Sequence, residues 1–301
     1  MAILVDGNTR IVIQGITGTN GSNMAGRLLS EGMPFYGGVS PNGASKEVAG
    51  VPVFASCHEA VNEVGANASF LSVPAKTALD ATLEAIDAGI RTIVVYAEGV
   101  PIKDAIYMTS YARMRETRLL GPNAAGCISP GVANLSDLSA ALLRPGRIGV
   151  ASKSGSLAYE VIDELNRNGL GQSSVVCLGG DPVMGLSHCD VLKLFEEDEH
   201  TDAMVLVGEI GGRSELKAAE FVRRAKKPVI AYIAGKSAPP AKRMGHASAL
   251  IGAEEENAPE KEEALRAAGA IVVDTLFEIG ISARRALESR KLIKSIKISA
   301  D

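Results

Sequence analysis

The chain has 301 residues, 46% of them hydrophobic, a formal charge of −4 and four cysteines. That is enough apolar material for two cores of ordinary size. The interspersed charge offers no field for nucleic acid or an anionic lipid surface, and no apolar run approaches the ~18 residues of a membrane span.

Strands are expected over residues 11–14, 35–39, 51–54, 68–73, 92–96 and 119–120, where β-branched and aromatic residues cluster. Helices are expected near 22–31, 56–64, 77–88 and 102–115. The Arg144-Pro145-Gly146 turn reads as a boundary, after which strands at 148–151, 174–178, 204–207, 229–233 and 271–273 alternate with helices at 157–168, 189–197, 215–225, near 259–268 and near 277–288. Strands alternating with helices imply parallel pairing, so the expected fold class is α/β in both halves. The division is 1–145, 146–290 and a short basic tail over 291–301, which reads as a solvated or partner-contacting extension. Cys57, Cys127, Cys177 and Cys189 lie far apart without a Cys-x-x-Cys pair, which points away from zinc or a disulfide framework and toward a reducing cytosol. With nothing at the N-terminus to target it elsewhere, a cytoplasmic location is expected.

In such sheets ligands gather at the carboxyl ends of strands, so the strand-to-helix turns carry the chemistry. The first is Gln14-Gly15-Ile16-Thr17-Gly18-Thr19-Asn20-Gly21, whose glycines permit a tight turn and the approach of a phosphate to amides at a helix N-terminus. A purely structural turn fits the residues as well. No acidic residue follows Val39, where Ser40-Pro41-Asn42-Gly43 stands, and this argues against an ordinary NAD site. A second turn, Ser152-Lys153-Ser154-Gly155-Ser156-Leu157, either caps a helix or holds an anion there. A third, Gly179-Gly180-Asp181-Pro182, shapes the same edge.

Arg243-Met244-Gly245-His246-Ala247 sets a histidine between small neighbours after a strand. Imidazole can act as a nucleophile at Nε2 while a carboxylate holds its other nitrogen, though an ordinary loop histidine is the plainer alternative. Glu209, at a strand end in Gly208-Glu209-Ile210-Gly211-Gly212, is placed either to cap the next helix or to bind Nδ1–H of His246. The chain lacks G-x-x-x-x-G-K-[ST] and the kinase signatures, so a nucleotide that phosphorylates His246 must sit on another polypeptide.

With these segments, and with Gly37-Gly38-Val39, Glu98-Gly99, Gly121-Pro122-Asn123 and Tyr159-Glu160, the chain resembles the α subunit of succinyl-CoA synthetase over nearly its full length. The resemblance implies a Rossmann-like CoA-binding domain followed by a flavodoxin-like ligase domain, and an acid–thiol ligase of the tricarboxylic acid cycle. It implies that coenzyme A is held by Thr17, Gly18, Thr19 and Asn20, with Val39, Lys46, Val73, Pro74, Tyr96, Ala97 and Glu98 alongside. It further implies that His246 is transiently phosphorylated, that Glu209 orients it, that Ser154, Gly155 and Ser156 present amides to the phosphoryl group, and that Asn123 and Tyr159 lie near the acid. No metal is expected on this chain. By the same resemblance, ATP or GTP with Mg²⁺ is expected on a β subunit with an ATP-grasp site, in an αβ or α2β2 assembly. Two departures stand out. The turn that brings a lysine to CoA in the family has Asn42-Gly43 here, with Lys46 the first lysine, and the family's Asn-Cys-Pro-Gly is Asn123-Ala124-Ala125-Gly126. Succinate is the expected acid, with malate or another small di- or tricarboxylate as the alternative. A non-enzymatic CoA- or nucleotide-binding regulator is the rival from another class, and a dinucleotide-dependent dehydrogenase a poorer third.

Overall fold

A computed structural model describes residues 3–41, 47–239, 242–253 and 256–292. The first sheet contains β1 (Ile11–Gln14), β2 (Phe35–Val39), β3 (Glu47–Val48), β4 (Val51–Phe54), β5 (Ala68–Leu71), β6 (Thr92–Val95) and β7 (Arg118–Leu120), in the order β3-β4-β2-β1-β5-β6-β7. Helices α1 (Thr19–Ser30), α2 (Cys57–Val64), α3 (Ala78–Asp87) and α4 (Ile102–Met114) make the crossovers that parallel pairing demands. Only β3 runs antiparallel to its neighbour. The inner strands β1, β5 and β6 are buried along their whole length, as expected of a sheet covered on both faces. Helix α1 starts at Thr19, so the Gly15–Gly21 loop delivers its last residues as the helix's first turn.

The second sheet follows the order β14-β13-β12-β10-β11-β8-β9. Its strands are β8 (Gly126–Ser129), β9 (Ala133–Ser136), β10 (Pro145–Ser152), β11 (Gln172–Cys177), β12 (Ala203–Glu209), β13 (Val229–Ala234) and β14 (Ile271–Val272). The helices are α5 (Gly155–Arg167), α6 (His188–Glu197), α7 (Ser214–Val222), α8 (Ala258–Ala267) and α9 (Ile279–Ser289). Strands β8 and β9 form an antiparallel hairpin that pairs with β11. The boundary expected at 145/146 therefore falls inside the second unit, whose sheet already begins at Gly126. The reason is local: Pro145 and Gly146 look like a turn, but they open β10, where a proline at the first strand position gives up no needed ladder bond.

The carboxyl ends of both sheets meet. Gly121 N–H bonds Leu178 O at 3.0 Å, Gly180 N–H bonds Asn123 O at 3.1 Å and Gly185 N–H bonds Gly121 O at 2.9 Å, stitching the loop after β7 to the loop after β11. No described helix is long and apolar enough to cross a membrane. Residues 293–301, most of the expected basic tail, lie outside the described residues.

Candidate active site

Register brings the loops together. Gln14, Val39, Leu71 and Val95 stand side by side at the ends of β1, β2, β5 and β6. Ser152, Cys177 and Val207 do so in the second sheet, and Glu209 pairs with Ala234 just beyond.

At the first sheet, Gly15 has φ +78°, and a Cβ there would lie 2.4 Å from Ser72 O. Only glycine fits that approach. The turn it allows leads into α1, whose first turn has no side-chain cap and no acidic residue, so amides and the positive end of the helix dipole face outward. Here Gly18, Thr19 and Asn20 line a cavity of about 570 Å³ with Val73, Pro74, Tyr96, Ala97, Glu98 and Asn123. Glycine spacing, apolar walls from Val73 and Pro74, and uncapped amides fit a phosphorylated ligand with an extended organic arm. A second cavity, of about 240 Å³, is lined by Tyr96, Asn123, Lys153, Ser154, Gly155, Ser156, Tyr159 and His246 among others. Tyr96 and Asn123 line both, so the glycine turn and the histidine loop open on adjoining spaces. A larger hollow of about 820 Å³ lies at the amino ends of β5 and β6, beside Arg91 and Arg118, on the edge away from these turns.

Within the second cavity, His246 Nδ1 lies 2.7 Å from Glu209 Oε2. The carboxylate can only accept, so Nδ1 carries the proton and Nε2 keeps its lone pair. Burial would raise the Glu209 pKa, but the hydrogen bond from His246 and the charge of Lys153 outweigh it and hold the carboxyl below its ordinary range. Reciprocally, the bond to Glu209 lifts the His246 pKa above the usual imidazole value, against burial and the Lys153 charge. Gly180 leaves room for the ring, since a Cβ there would sit 2.3 Å from His246 Cγ. Ser248 Oγ lies 2.8 Å from Glu209 Oε1 and 2.9 Å from Gly180 O, tying the loops together.

Helix α5 points its N-terminus into the same cavity. Ser154 is its cap: Oγ accepts from Leu157 N–H at 3.2 Å, and Ser154 N–H is taken by Ser152 Oγ. The cap is therefore shown, and it uses neither the Gly155 nor the Ser156 amide, so capping does not compete with the anion reading of the turn. Tyr159 OH accepts from Ser139 N–H at 2.9 Å and Tyr96 OH donates to Asp137 Oδ2 at 3.1 Å, which fixes two walls.

Two expected residues stand apart, and a third is not described. Val39 is buried in the core and contributes only its carbonyl, which accepts from Gly15 N–H at 3.0 Å. A β-branched residue ending an inner strand is drawn into the core before it can reach a ligand. Thr17 is exposed and lies outside both cavity walls, its Oγ1 3.4 Å from Ser40 Oγ. Lys46 lies outside the described residues.

Beneath Glu209 is a charged layer that sequence reasoning did not find. Lys261 Nζ donates to Glu209 O and Gly211 O, both at 2.7 Å, and to Glu215 Oε2 at 2.6 Å. Glu215 Oε1 accepts from Glu209 N–H at 3.2 Å. His188 has a different part. Val207 O can only accept, so Nε2 carries the hydrogen at 3.1 Å, Nδ1 accepts from Ser214 Oγ at 3.0 Å, and burial lowers the pKa. His188 is a neutral structural ring; His246 is the one facing a cavity.

Known proteins supply the context. A CoA binding domain profile matches residues 6–99 and a CoA-ligase profile matches residues 151–271. The α 1 subunit of ADP-forming succinate–CoA ligase from Archaeoglobus fulgidus is 49% identical over 96% of this chain and 99% of its own length. The α subunit of the same enzyme from Aquifex aeolicus is 45% identical over 96% and 95%, and that from Staphylococcus aureus 39% over 98% of both chains. Among solved structures, ATP citrate lyase from Methanothrix soehngenii superposes with a TM-score of 0.86 at 24% identity, covering 98% of this chain. An acetyl-coenzyme A synthetase from Ca. Korarchaeum cryptofilum gives 0.73 at 19% identity over 93% of this chain. The chain spans 53% and 61% of those two structures, and at such identities they share the fold alone.

Proposed function

The chain belongs to the family of succinate–CoA ligase α subunits, and on that premise we propose that it joins succinate to coenzyme A in an ADP-forming ligase, with His246 Nε2 carrying the phosphoryl group. The observation that carries this reading is the 2.7 Å bond from His246 Nδ1 to Glu209, which leaves Nε2 as the nucleophile beside the amides of α5.

The phosphoryl group passes from the nucleotide to Nε2 with departure of the diphosphate, and Glu209 stabilises the imidazolium character that develops as the N–P bond forms. A carboxylate oxygen of the acid then attacks phosphorus, the N–P bond breaks and Nε2 regains its lone pair. Coenzyme A supplies the thiol that takes the acyl group from the resulting acyl phosphate and releases phosphate. Gly18, Thr19 and Asn20 would hold its phosphates at the α1 N-terminus, with Val73, Pro74, Tyr96, Ala97 and Glu98 along its arm. Asn123 and Tyr159 line the space toward the acid. We assign the Mg²⁺-nucleotide to an ATP-grasp β subunit, because this chain carries no P-loop, and we place the assembly in the cytoplasm. The four free cysteines suit a reducing compartment.

The assembled enzyme incubated with γ-labelled ATP should give an acid-labile, alkali-stable phosphoprotein on this chain, discharged by succinate plus coenzyme A. His246→Ala should lose both label and turnover; label persisting on another residue overturns the mechanism. Comparing kcat/KM for succinate, malate, glutarate and citrate tests the acid, since small Ala124 and Ala125 side chains border the second cavity. Inert succinate beside an efficient relative would move the substrate and leave the ligase chemistry standing.

A further inference from the structure

Lys153 has no role in the reading above, yet it is 4% exposed and lines the cavity that holds His246. Its ammonium is 3.4 Å from Glu209 Oε1, 3.5 Å from Ser248 Oγ and 4.0 Å from Glu215 Oε1. The contrast with Lys261 is informative. Lys261 Nζ has three acceptors within 2.7 Å, so its donors are spent, whereas every contact of Lys153 is long. Two ammonium groups therefore balance the Glu209 and Glu215 carboxylates, but of the two only Lys153 also lines the cavity that holds His246. Burying an ammonium costs several kcal/mol unless it is paired. Its place is explained if the site needs a cation on the far side of Glu209 from the imidazole.

We propose that Lys153 is a positioning residue for phosphoryl transfer: held on the Oε1 side of Glu209, it keeps that carboxylate turned with Oε2 toward His246 Nδ1, and so directs reaction to Nε2. The inference rests on His246 being the phosphoryl carrier. Other groups face the ring as well. Glu209 comes from the end of β12, Glu98 from the loop after β6, Asp181 from the loop after β11, and Arg243 from the histidine's own loop, paired with Glu98 at 3.7 Å. Of these cations, Lys153 is the one beside the Glu209 carboxylate, Lys261 reaching only its backbone carbonyl, and the Lys153 charge opposes protonation of the imidazole. Removing it should raise the His246 pKa. Because a protonated Nε2 cannot attack, the acid limb of the phosphorylation rate should then move to higher pH.

The test uses the full chain with its partner subunit, as wild type, Lys153→Met and Lys153→Arg. Lys153→Met should phosphorylate about 10-fold or more slowly, as for loss of a group that orients a reacting imidazole. Its acid limb should shift upward, and ³¹P spectra of the denatured phosphoprotein should show phosphoryl groups escaping to Nδ1. Lys153→Arg should recover most of the rate and the Nε2 isomer. Histidine-selective NMR titration of the full chain, which has four histidines, reads the ring directly and needs no turnover. A folded Lys153→Met with unchanged His246 titration, rate and isomer overturns the role of Lys153 alone. Absence of phosphohistidine in the wild type would instead remove the reading on which it rests.

Discussion

At the scale of single residues, the His246–Glu209 pair sets a pH dependence whose sign follows from the two shifts. The raised His246 pKa stabilises the fold at pH below the ordinary imidazole value of 6.5, and this is lost as pH rises through the higher folded value. The lowered Glu209 pKa stabilises it above the ordinary 4.5, and this is lost as pH falls through the folded value. The pair contributes most between those limits. Glu209→Gln removes the main group that lifts the imidazole, leaving burial and Lys153 against the weaker pull of Glu98. His246 should then titrate below its wild-type value, and phosphorylation should fall by about 100-fold. Urea midpoints of wild type and Glu209→Gln should differ most near about pH 6, and the gap should narrow without closing at alkaline pH, where Lys153 and Ser248 still face the carboxylate. A gap that stays flat with pH would reduce Glu209 to a neutral hydrogen-bond acceptor. His246 and Glu209 were both legible in the sequence, because a carboxylate at a strand end and a histidine among small residues on the same edge can meet. Lys153 was visible only as part of a turn. Glu215 and Lys261 sit in helices where pattern gives no sign that their heads turn inward, so the layer beneath Glu209 had to be seen.

At the scale of elements, β-branched runs fixed most strands to within two residues, since inner strands of a doubly covered sheet are continuously apolar. The β8–β9 hairpin escaped, because two four-residue strands around Pro130-Gly131-Val132 carry too short a pattern to separate from loop. The glycine turn separates two jobs that its sequence runs together. Gly15 serves the fold: φ is +78° and a Cβ would lie 2.4 Å from Ser72 O, so Gly15→Ala should cost about 1–3 kcal/mol. Gly18 has φ −78°, and a Cβ would meet only Gly15 O at 3.3 Å. Gly18→Val should change stability by no more than about 1 kcal/mol while weakening coenzyme A sharply, because its branches enter the cavity beside Thr19 and Asn20. Thermal unfolding and calorimetry on the two variants check the division. If Gly18→Val bound coenzyme A as wild type does, the α1 N-terminus would not be the phosphate site.

At the scale of the molecule, the proposed acyl transfer spans two sheets, and the packing makes them one body. A single cluster of buried side chains runs from Ile13, Phe70 and Val94 of the first sheet to Ala151 and Met204 of the second. Arg27, on α1, reaches across as well, donating to Leu138 O at 2.6 Å and Ser136 O at 2.7 Å, while Glu31 accepts from Ala140 N–H at 2.9 Å. The same Arg27 lines a cavity of about 280 Å³ with Asn20 and Tyr96, next to the proposed coenzyme A site. Unfolding should therefore be one transition, with far-UV circular dichroism and tyrosine fluorescence coincident, the chain having six tyrosines and no tryptophan. Arg27→Ala takes a charged donor from two carbonyls, of which Leu138 O keeps Asn134 Nδ2 at 2.8 Å, so it should destabilise by about 1–3 kcal/mol without splitting the transition. Arg27→Lys should recover only part, since one ammonium does not reproduce the guanidinium fork. The functional consequence is specific. If α1 is held to the β9 segment so that the two cavities keep their alignment, Arg27→Ala should lower the rate of acyl transfer to coenzyme A more than the rate of His246 phosphorylation, which involves only the second unit and its partner. Equal losses in both steps would mean that Arg27 supports the fold and has no share in aligning the two sites.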